Sequence, residues 1–310
     1  MHIPDGFLST LVAVVFWCFS AIAVAYALRR VGKDLGERQV PLMGVLAAAI
    51  FAGQLLNFSI TGGTSGHLLG AALATILLGP WAAVIVLTSV VSIQELIFQD
   101  GGLLALGANL FNMAVIGVTV SYFVYTSVQK LAHGRSWGLF VGGFLAAWLS
   151  IVVASLSAAL QLALSGTSPA NISVPAMGGI HMLIGIGEGL ITVGALAFLH
   201  AARRDLFTTA EMSQKGGALV WIFGLAIALS LAVLSPLAST HPDGLMWVAR
   251  QHGFLDAARA PFYKVLPSYI FPGISNKGLS TIVASILGTL LVFGVALGVA
   301  YLRRKKGRLG

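Results

Sequence analysis

The sequence contains a single cysteine, Cys18, in an apolar run. One cysteine excludes an internal disulfide and any metal site built from a cysteine cluster. Charged residues are also scarce, at 9% of the 310 residues, whereas a soluble domain has about 25%. Because 57% of the residues are hydrophobic, the composition predicts an all-α, polytopic membrane helical bundle.

Two catalytic motifs are missing from the sequence. It contains no Gly-x-x-x-x-Gly-Lys-Ser/Thr phosphate loop, so the chain does not hydrolyse ATP by that route. It also contains no His-Glu-x-x-His motif of the zinc proteases. We therefore expect a protein that is not an enzyme, and any ATPase that drives it would be another subunit.

Apolar segments divide most of the chain. They cover 7–28, 41–58, 67–79, 81–98, 103–127, 137–164, 178–199, 217–238 and 279–302. The acidic Asp5 precedes the first segment and Arg29 and Arg30 follow it, the reverse of a signal peptide. We expect this segment to be a retained transmembrane helix with its N-terminus outside.

The stretch from His67 to Asp100 could form one span or two, and Gly79-Pro80 inside it favours a break. Two spans give about nine transmembrane helices and a cytoplasmic C-terminus. Fourteen of the 18 Lys and Arg residues then lie inside, all except Arg250, Arg259, Lys264 and Lys277. A single span would abolish this positive-inside bias. The net charge of +8 is thus explained by topology, and we expect no nucleic-acid partner.

The first two residues, Met1 and His2, could chelate a metal ion. The Met1 amine, the His2 amide and the His2 Nδ1 can close five- and six-membered rings on one ion, an arrangement that suits Ni(II) or Cu(II). The alternative is a frayed terminus. The predicted topology places His67 on the same outer side, after the glycine-rich loop 59–66, where it could supply a fourth nitrogen.

Several polar residues lie inside the predicted spans, where they are costly and often functional. An interhelical hydrogen bond is the simplest role for Asn109 and Asn112. Asn109 and His181 are also candidates for positioning the ligands or lining the approach to them. Glu188 shares a face with His181, and its role stays open. Gln94 and Glu95 lie near the outer end of the fourth span.

The composition changes after the seventh span. Residues 1–210 form a predicted seven-helix core, and residues 211–310 an accessory unit of two helices joined by a long outer loop, 239–278. Aromatic residues in this loop would anchor it to the membrane surface or to the mouth of the bundle. His241 in this loop is interpreted as an ordinary turn residue.

Four motifs spread over residues 1–200 resemble one known family. They are Met1-His2-Ile3-Pro4-Asp5-Gly6-Phe7-Leu8, Gly66-His67-Leu68-Leu69-Gly70, the run Gln94 to Met113 with Asp100-Gly101-Gly102 and Gly107-Ala108-Asn109, and His181 through Thr192. The family is the substrate-binding component of nickel and cobalt energy-coupling factor transporters, the NikM/CbiM family. The tail resembles the small accessory component of these transporters, fused to the same chain.

This resemblance implies a square-planar site for Ni(II), the transported substrate, formed by Met1, His2 and His67. Its Ile-Pro-Asp-Gly motif resembles the nickel-type relatives more than the cobalt type, although Co(II) could use the same nitrogens. The implied partners are cytoplasmic ATPase subunits, a transmembrane coupling subunit and the lipid bilayer of a bacterial inner membrane. The alternatives are a Co(II) uptake subunit and a self-sufficient proton-coupled carrier or channel that uses His181 and Glu188 as a relay.

Overall fold

The structure is a computed structural model that describes residues 1–34, 39–133, 135–202 and 214–307. Eleven α-helices account for most of these residues: α1 (Thr10–Asp34), α2 (Gln39–Gln54), α3 (Ala71–Leu78), α4 (Pro80–Ile97), α5 (Leu106–Leu110), α6 (Gly117–Ala132), α7 (Trp137–Leu164), α8 (Ala170–Ala202), α9 (Gln214–Val233), α10 (Gly244–Gln251) and α11 (Lys277–Gly307). A π-helical segment, Phe111–Ile116, joins α5 to α6. The prediction of an all-α membrane bundle is confirmed.

Six helical stretches in the described part of the chain are long and apolar enough to cross a membrane. They are Thr10–Val31, Pro80–Ile97, Leu106–Ala132, Trp137–Leu164, Ala170–Ala202 and Lys277–Lys305. The helices in the other predicted segments, α2, α3 and α9, are shorter or less completely described. Each of the nine predicted apolar segments nevertheless contains a helix, which agrees with the predicted count.

The helix break predicted at Gly79-Pro80 is present. Gly79 has φ 80° and ψ 166°, and Pro80 is the first residue of α4. Helix α3 has only 8 residues, shorter than the predicted segment 67–79. The difference arises because Gly70 adopts a left-handed conformation, φ 79°, so the helix begins at Ala71. His67 therefore stands in a loop that precedes the helix.

Helix α2 lies at the centre of the bundle, with Met43, Ile50 and Phe51 fully buried. The C-terminal helices α9 and α11 both pack against it. Gly288 of α11 lies directly over the ring of Phe51, so even a β-carbon there would collide with that ring. The C-terminal helices are thus packed into the core of the bundle.

A hairpin of β1 (Phe58–Ile60) and β2 (Thr64–Gly66) follows α2, with Ile60 paired to Thr64. The long loop after α9 folds onto this hairpin, because the N–H of Ser65 donates to the carbonyl of Pro242 at 2.9 Å. Farther along, Tyr269 stacks on Phe98 with 4.6 Å between ring centroids. Aromatic residues of the loop therefore pack onto the mouth of the bundle, one of the two predicted sites of anchoring.

Some sequence-based predictions concern residues outside the described ranges. They are the inward placement of Arg38, Arg203, Arg204 and Arg308, and the boundary between residues 210 and 211.

Candidate metal centre

The first three residues are buried at one end of the bundle. Met1 is 4% exposed, His2 is 7% exposed and Ile3 is completely buried. The structure therefore does not have the frayed terminus that was the alternative to a chelate. Both candidate ligands at the start of the chain occupy defined positions.

Asn109 fixes the backbone of this N-terminal segment. Its side-chain oxygen accepts a hydrogen bond from the N–H of Ile3 at 2.8 Å, and its amide nitrogen donates to the Ile3 carbonyl at 3.0 Å. The N–H of Gly102 also donates to that carbonyl. Asn109 thus binds the backbone beside His2, whereas Asn112 makes the predicted interhelical bond, to Gln161 of α7.

Asp5 connects the same segment to the start of α5. Its carboxylate accepts hydrogen bonds from the N–H groups of Leu103, Leu104 and Ala105. A β-carbon at Gly102 would overlap the Asp5 backbone and carboxylate. The Asp100-Gly101-Gly102 turn therefore needs glycine in order to let the N-terminal segment approach.

His67 faces the Met1 nitrogen directly. Its Nε2 lies 3.0 Å from that nitrogen, and its Nδ1 lies 3.0 Å from the Leu68 carbonyl. A proton on Nδ1 would donate to this carbonyl, which leaves the Nε2 lone pair free for a ligand. Burial, together with the Met1 ammonium and His2, lowers the pKa of His67 to about 3, so the imidazole is neutral at physiological pH.

Two buried side chains hold the loop that follows His67. The Glu188 carboxylate accepts hydrogen bonds from the N–H groups of Leu69 at 2.6 Å and Gly70 at 3.0 Å. Gln54 donates to the Leu69 carbonyl. Glu188, whose role the sequence left open, therefore fixes the backbone that aims His67.

The His2 ring lies beside the His67 ring, with 5.7 Å between the centroids. Its Nδ1 lies 3.5 Å from Oε1 of Glu95, and this nitrogen has no hydrogen-bond partner. The structure thus brings together all three predicted site residues, Met1, His2 and His67.

His181 lies near this group. Its Nδ1 is 2.8 Å from the Met177 carbonyl, and it lines a small cavity with Met1, His67 and Asp243. Its ring also lies against Gly244, where a β-carbon would be 2.9 Å from Cε1. His181 is therefore adjacent to the candidate ligands.

Asp243 is a site residue that the sequence reasoning missed. Its Oδ2 lies 2.6 Å from the Met1 nitrogen, although the two residues are 242 positions apart. Burial alone would raise the pKa of Asp243, but the Met1 ammonium and the N–H of Met246 hold it well below its usual range. The signal in the sequence was Pro-Asp-Gly-Leu, which was interpreted only as a mark of the fused tail.

No group of three or more His, Cys, Asp or Glu side chains arranged to hold a metal occurs in the part of the chain that the structure describes. A site at this position therefore depends on the terminal amine and the backbone. A polar cavity of about 750 Å³ leads to it, with His2, His67, Gln94, Asp100, Asp243 and Arg259 among its lining residues.

The fold and the site define a class, a multi-pass helical membrane protein with buried nitrogen donors at one end of the bundle. The chain belongs to the family of the cobalt uptake substrate-specific transmembrane region (CbiM), whose profile matches residues 2–206. The profile of the PDGLE domain matches residues 218–305.

Similar proteins carry names of metal transporters. A relative from Archaeoglobus fulgidus, provisionally named fused nickel transport protein NikMN, is 37% identical over 98% of both chains. The fused nickel transport protein NikMN of Rhodobacter capsulatus is 29% identical over 99% of this chain and 100% of its own. The cobalt transport protein CbiM of Geobacter sulfurreducens is 31% identical over 70% of this chain and 64% of its own.

A solved structure has the same fold over most of the core. The crystal structure of a truncated transition metal transporter matches with a TM-score of 0.58 and 35% identity, over 65% of this chain and 99% of its own. The chain is therefore a nickel or cobalt transport membrane protein of the CbiM and NikMN type.

Proposed function

We propose that the chain captures Ni(II) on the outer side of the membrane and delivers it inward as the substrate-specific subunit of an ATP-driven energy-coupling factor transporter. The ligands would be the Met1 amine, the His2 amide and imidazole, and the His67 imidazole. The orientation follows from the positive-inside distribution of Lys and Arg. In a bacterium the location would be the inner membrane.

The observation that carries the proposal is the 3.0 Å separation of the Met1 nitrogen and His67 Nε2. Metal–nitrogen bonds are about 2.0 Å long, so two ligands at a right angle on one ion lie about 2.8 Å apart. These two buried atoms therefore need little movement to share an ion. The amine and the His2 amide must each lose a proton, so capture releases protons.

Nickel is favoured over cobalt as the substrate. The Ile-Pro-Asp-Gly motif resembles the nickel type, and the two NikMN relatives cover nearly the whole chain, tail included. The cobalt-type relative covers 70% of it. Co(II) remains the alternative substrate for the same nitrogens.

The partners would be cytoplasmic ATPase subunits and a transmembrane coupling subunit, because the chain has no phosphate loop of its own. We further propose that residues 1–210 form the metal-binding core and 211–310 the fused accessory unit. The contact of Asp243 with the Met1 nitrogen supports a role for the accessory unit at the site itself.

A self-sufficient carrier with His181 and Glu188 as a relay is less well supported. Both Glu188 oxygens accept hydrogen bonds from the backbone of Leu69 and Gly70, which favours a positioning role. Metal uptake by this chain in cells that lack every coupling subunit would favour the carrier instead.

The proposal is tested by adding one residue before Met1 of the purified protein. We expect near-complete loss of square-planar Ni(II) binding, measured by the visible absorption of the complex and by titration. His2→Ala and His67→Ala should have the same effect, because each removes an imidazole donor. His252→Ala, in the exposed outer loop, is the matched control and should bind Ni(II) normally. Planar Ni(II) binding by the extended chain would contradict the proposal.

A further inference from the structure

A second cavity, of about 650 Å³, lies between the core of the bundle and the C-terminal helices. Its walls are α8 and α9, and residues of α2 and α3 form its floor. Helix α9 packs on α2 and α11, whereas α8 packs mainly on α7, so the cavity is the space left between α8 and α9. We call this space the lateral groove and define it by Leu46, Ala49, Leu73, Ala195, Phe198 and Phe223.

The lateral groove is elongated along the helices. On α2 its lining extends from Leu42 to Gly53, and on α8 from Ile191 to Ala202. At about 1.5 Å per residue, each of these stretches is about 16 Å long. Half of the hydrocarbon core of a bilayer is about 15 Å thick, so the groove matches the depth that one acyl chain spans.

The lining of the lateral groove is apolar. Thr192 is the only residue with a polar side chain among the described residues that line it. Bound water needs about two to four polar partners, and cavities lined by apolar side chains stay dry. An empty space of this size would forfeit the dispersion contacts of its walls. Hydrocarbon is therefore the filling that the lining favours.

The lateral groove opens toward the bilayer. Phe198 on one wall is 57% exposed and Phe223 on the other is 65% exposed, whereas Leu46 and Leu73 on the floor are buried. Helix α8 is long and apolar enough to cross a membrane, and the described part of α9 is an apolar helix as well. The medium at the opening is thus lipid, and an acyl chain can enter sideways between the two phenylalanines.

Helix α9 touches the core on one side of the groove only. A β-carbon at Gly224 would be 2.3 Å from Cγ1 of Val45, so α9 lies very close to α2 at this point. Toward α8 the two walls are separated by the groove. A filling molecule would complete the contact between α9 and the core on that second side.

A helix of another protein is too large to lie inside the lateral groove. A helix about 10 Å across and about 16 Å long has a volume of about 1,250 Å³, about twice that of the groove. The volume therefore favours a thinner occupant.

We propose that an acyl chain of a membrane phospholipid occupies the lateral groove and joins α9 to α8 as a structural lipid. This inference is independent of the proposed function, because none of the candidate metal ligands lines the groove.

The test uses the full-length protein in vesicles of phosphatidylethanolamine and phosphatidylglycerol that contain a phospholipid with a photoreactive diazirine in one acyl chain. After illumination, we expect cross-links to the buried floor residues Leu46 and Leu73, located by mass spectrometry of the peptides. Exposed residues of α1 such as Leu11 and Ile22 should also be labelled, because any surrounding lipid reaches them. Labelling of α1 without labelling of the floor would overturn the proposal.

A variant that fills the groove gives a second test. Ala195→Phe places a ring in the groove and should abolish the cross-links to the floor while those to α1 persist. Ala197→Phe, at an exposed position of the same helix that does not line the groove, is the matched control and should be labelled like the wild type. Phospholipid added to the protein in detergent should raise the thermal unfolding temperature of the wild type and Ala197→Phe more than that of Ala195→Phe.

Floor labelling that Ala195→Phe leaves unchanged, or an equal stabilisation of all three proteins by phospholipid, would also overturn the proposal. The cross-linking of the wild type needs no variant, so it decides the inference even if Ala195→Phe does not fold.

Discussion

Single side chains with backbone partners build the site. Asn109 binds Ile3, Glu188 binds Leu69 and Gly70, and Asp243 binds the Met1 nitrogen. The first two would position the nitrogens of the proposed metal site. Asp243 acts in the opposite direction, because its carboxylate stabilises the ammonium form of Met1, which must lose a proton before it can bind metal.

The effect of Asp243 depends on pH. Its pKa is lowered in the folded protein, so the ion pair with Met1 is present above the ordinary pKa of an aspartate and is lost only as the pH falls through the lowered value. His67 is neutral over the same range, since its pKa is lowered to about 3.

We predict that Asp243→Asn binds Ni(II) more tightly than the wild type at mildly acidic pH, by about tenfold at most. The difference should shrink as the pH rises, because the proton release that accompanies metal binding becomes less costly at higher pH. Asparagine also caps helices well, so α10 should persist. Titrations with Ni(II) across the pH range measure the effect.

The control for Asp243→Asn is Asp256→Asn, an exposed carboxylate of the same outer loop, which should leave the pH profile unchanged. Weaker binding by Asp243→Asn at every pH would contradict the prediction and would assign Asp243 a direct part in holding the ion.

At the scale of the elements, the start of α3 at Ala71 determines where His67 lies. A helix that began at residue 67 would place His67 on a helix face, whereas the left-handed Gly70 leaves residues 67–70 as a loop that Glu188 and Gln54 can bind. At the other end of α3, Gly79 makes the break before α4 possible, since its φ of 80° and ψ of 166° are essentially restricted to glycine.

We predict that Gly79→Ala destabilises the protein by about 1–3 kcal/mol, because the backbone conformation becomes strained. A β-carbon there meets no atom within 4 Å, so the cost is conformational and not a collision. The measurement is thermal unfolding in detergent. Gly194→Ala in α8, where a β-carbon also meets nothing within 4 Å, should be neutral or stabilising; an equal effect of the two substitutions would contradict the explanation.

At the scale of the whole molecule, the C-terminal part contacts the core in two places. Helices α9 and α11 pack on α2, and the long loop between them reaches the candidate metal centre through Asp243. The site therefore combines residues from both ends of the chain, and the loop and the site must lie on the same side of the membrane.

We predict that this side is the outer one. In a Cys18→Ala background, His252→Cys in the outer loop should react with a membrane-impermeant thiol reagent on intact cells. Ser136→Cys, between α6 and α7, should react only after permeabilisation. Both positions are exposed in the structure, so accessibility to the reagent reports sidedness. Labelling of Ser136→Cys and not His252→Cys in intact cells would reverse the assigned orientation.

Much of the fold could be predicted from the sequence because helices that cross a membrane have a local signal. Hydropathy located all nine apolar segments, and Gly79-Pro80 located the break. The length of α3 could not be predicted, because the left-handed conformation of Gly70 depends on its contacts with Ile50 and Glu188.

The sequence by itself determined the helical segments and the three candidate ligands. Met1 and His2 are adjacent in the chain, so covalent geometry fixes the sizes of the chelate rings that they can form. The predicted topology and a motif identify His67 as a further candidate ligand. Only the tertiary structure decided the contacts of Glu188 and Asp243. Their partners lie from 118 to 242 positions away in the chain, and distances between such residues arise from helix packing, which has no local pattern in the sequence.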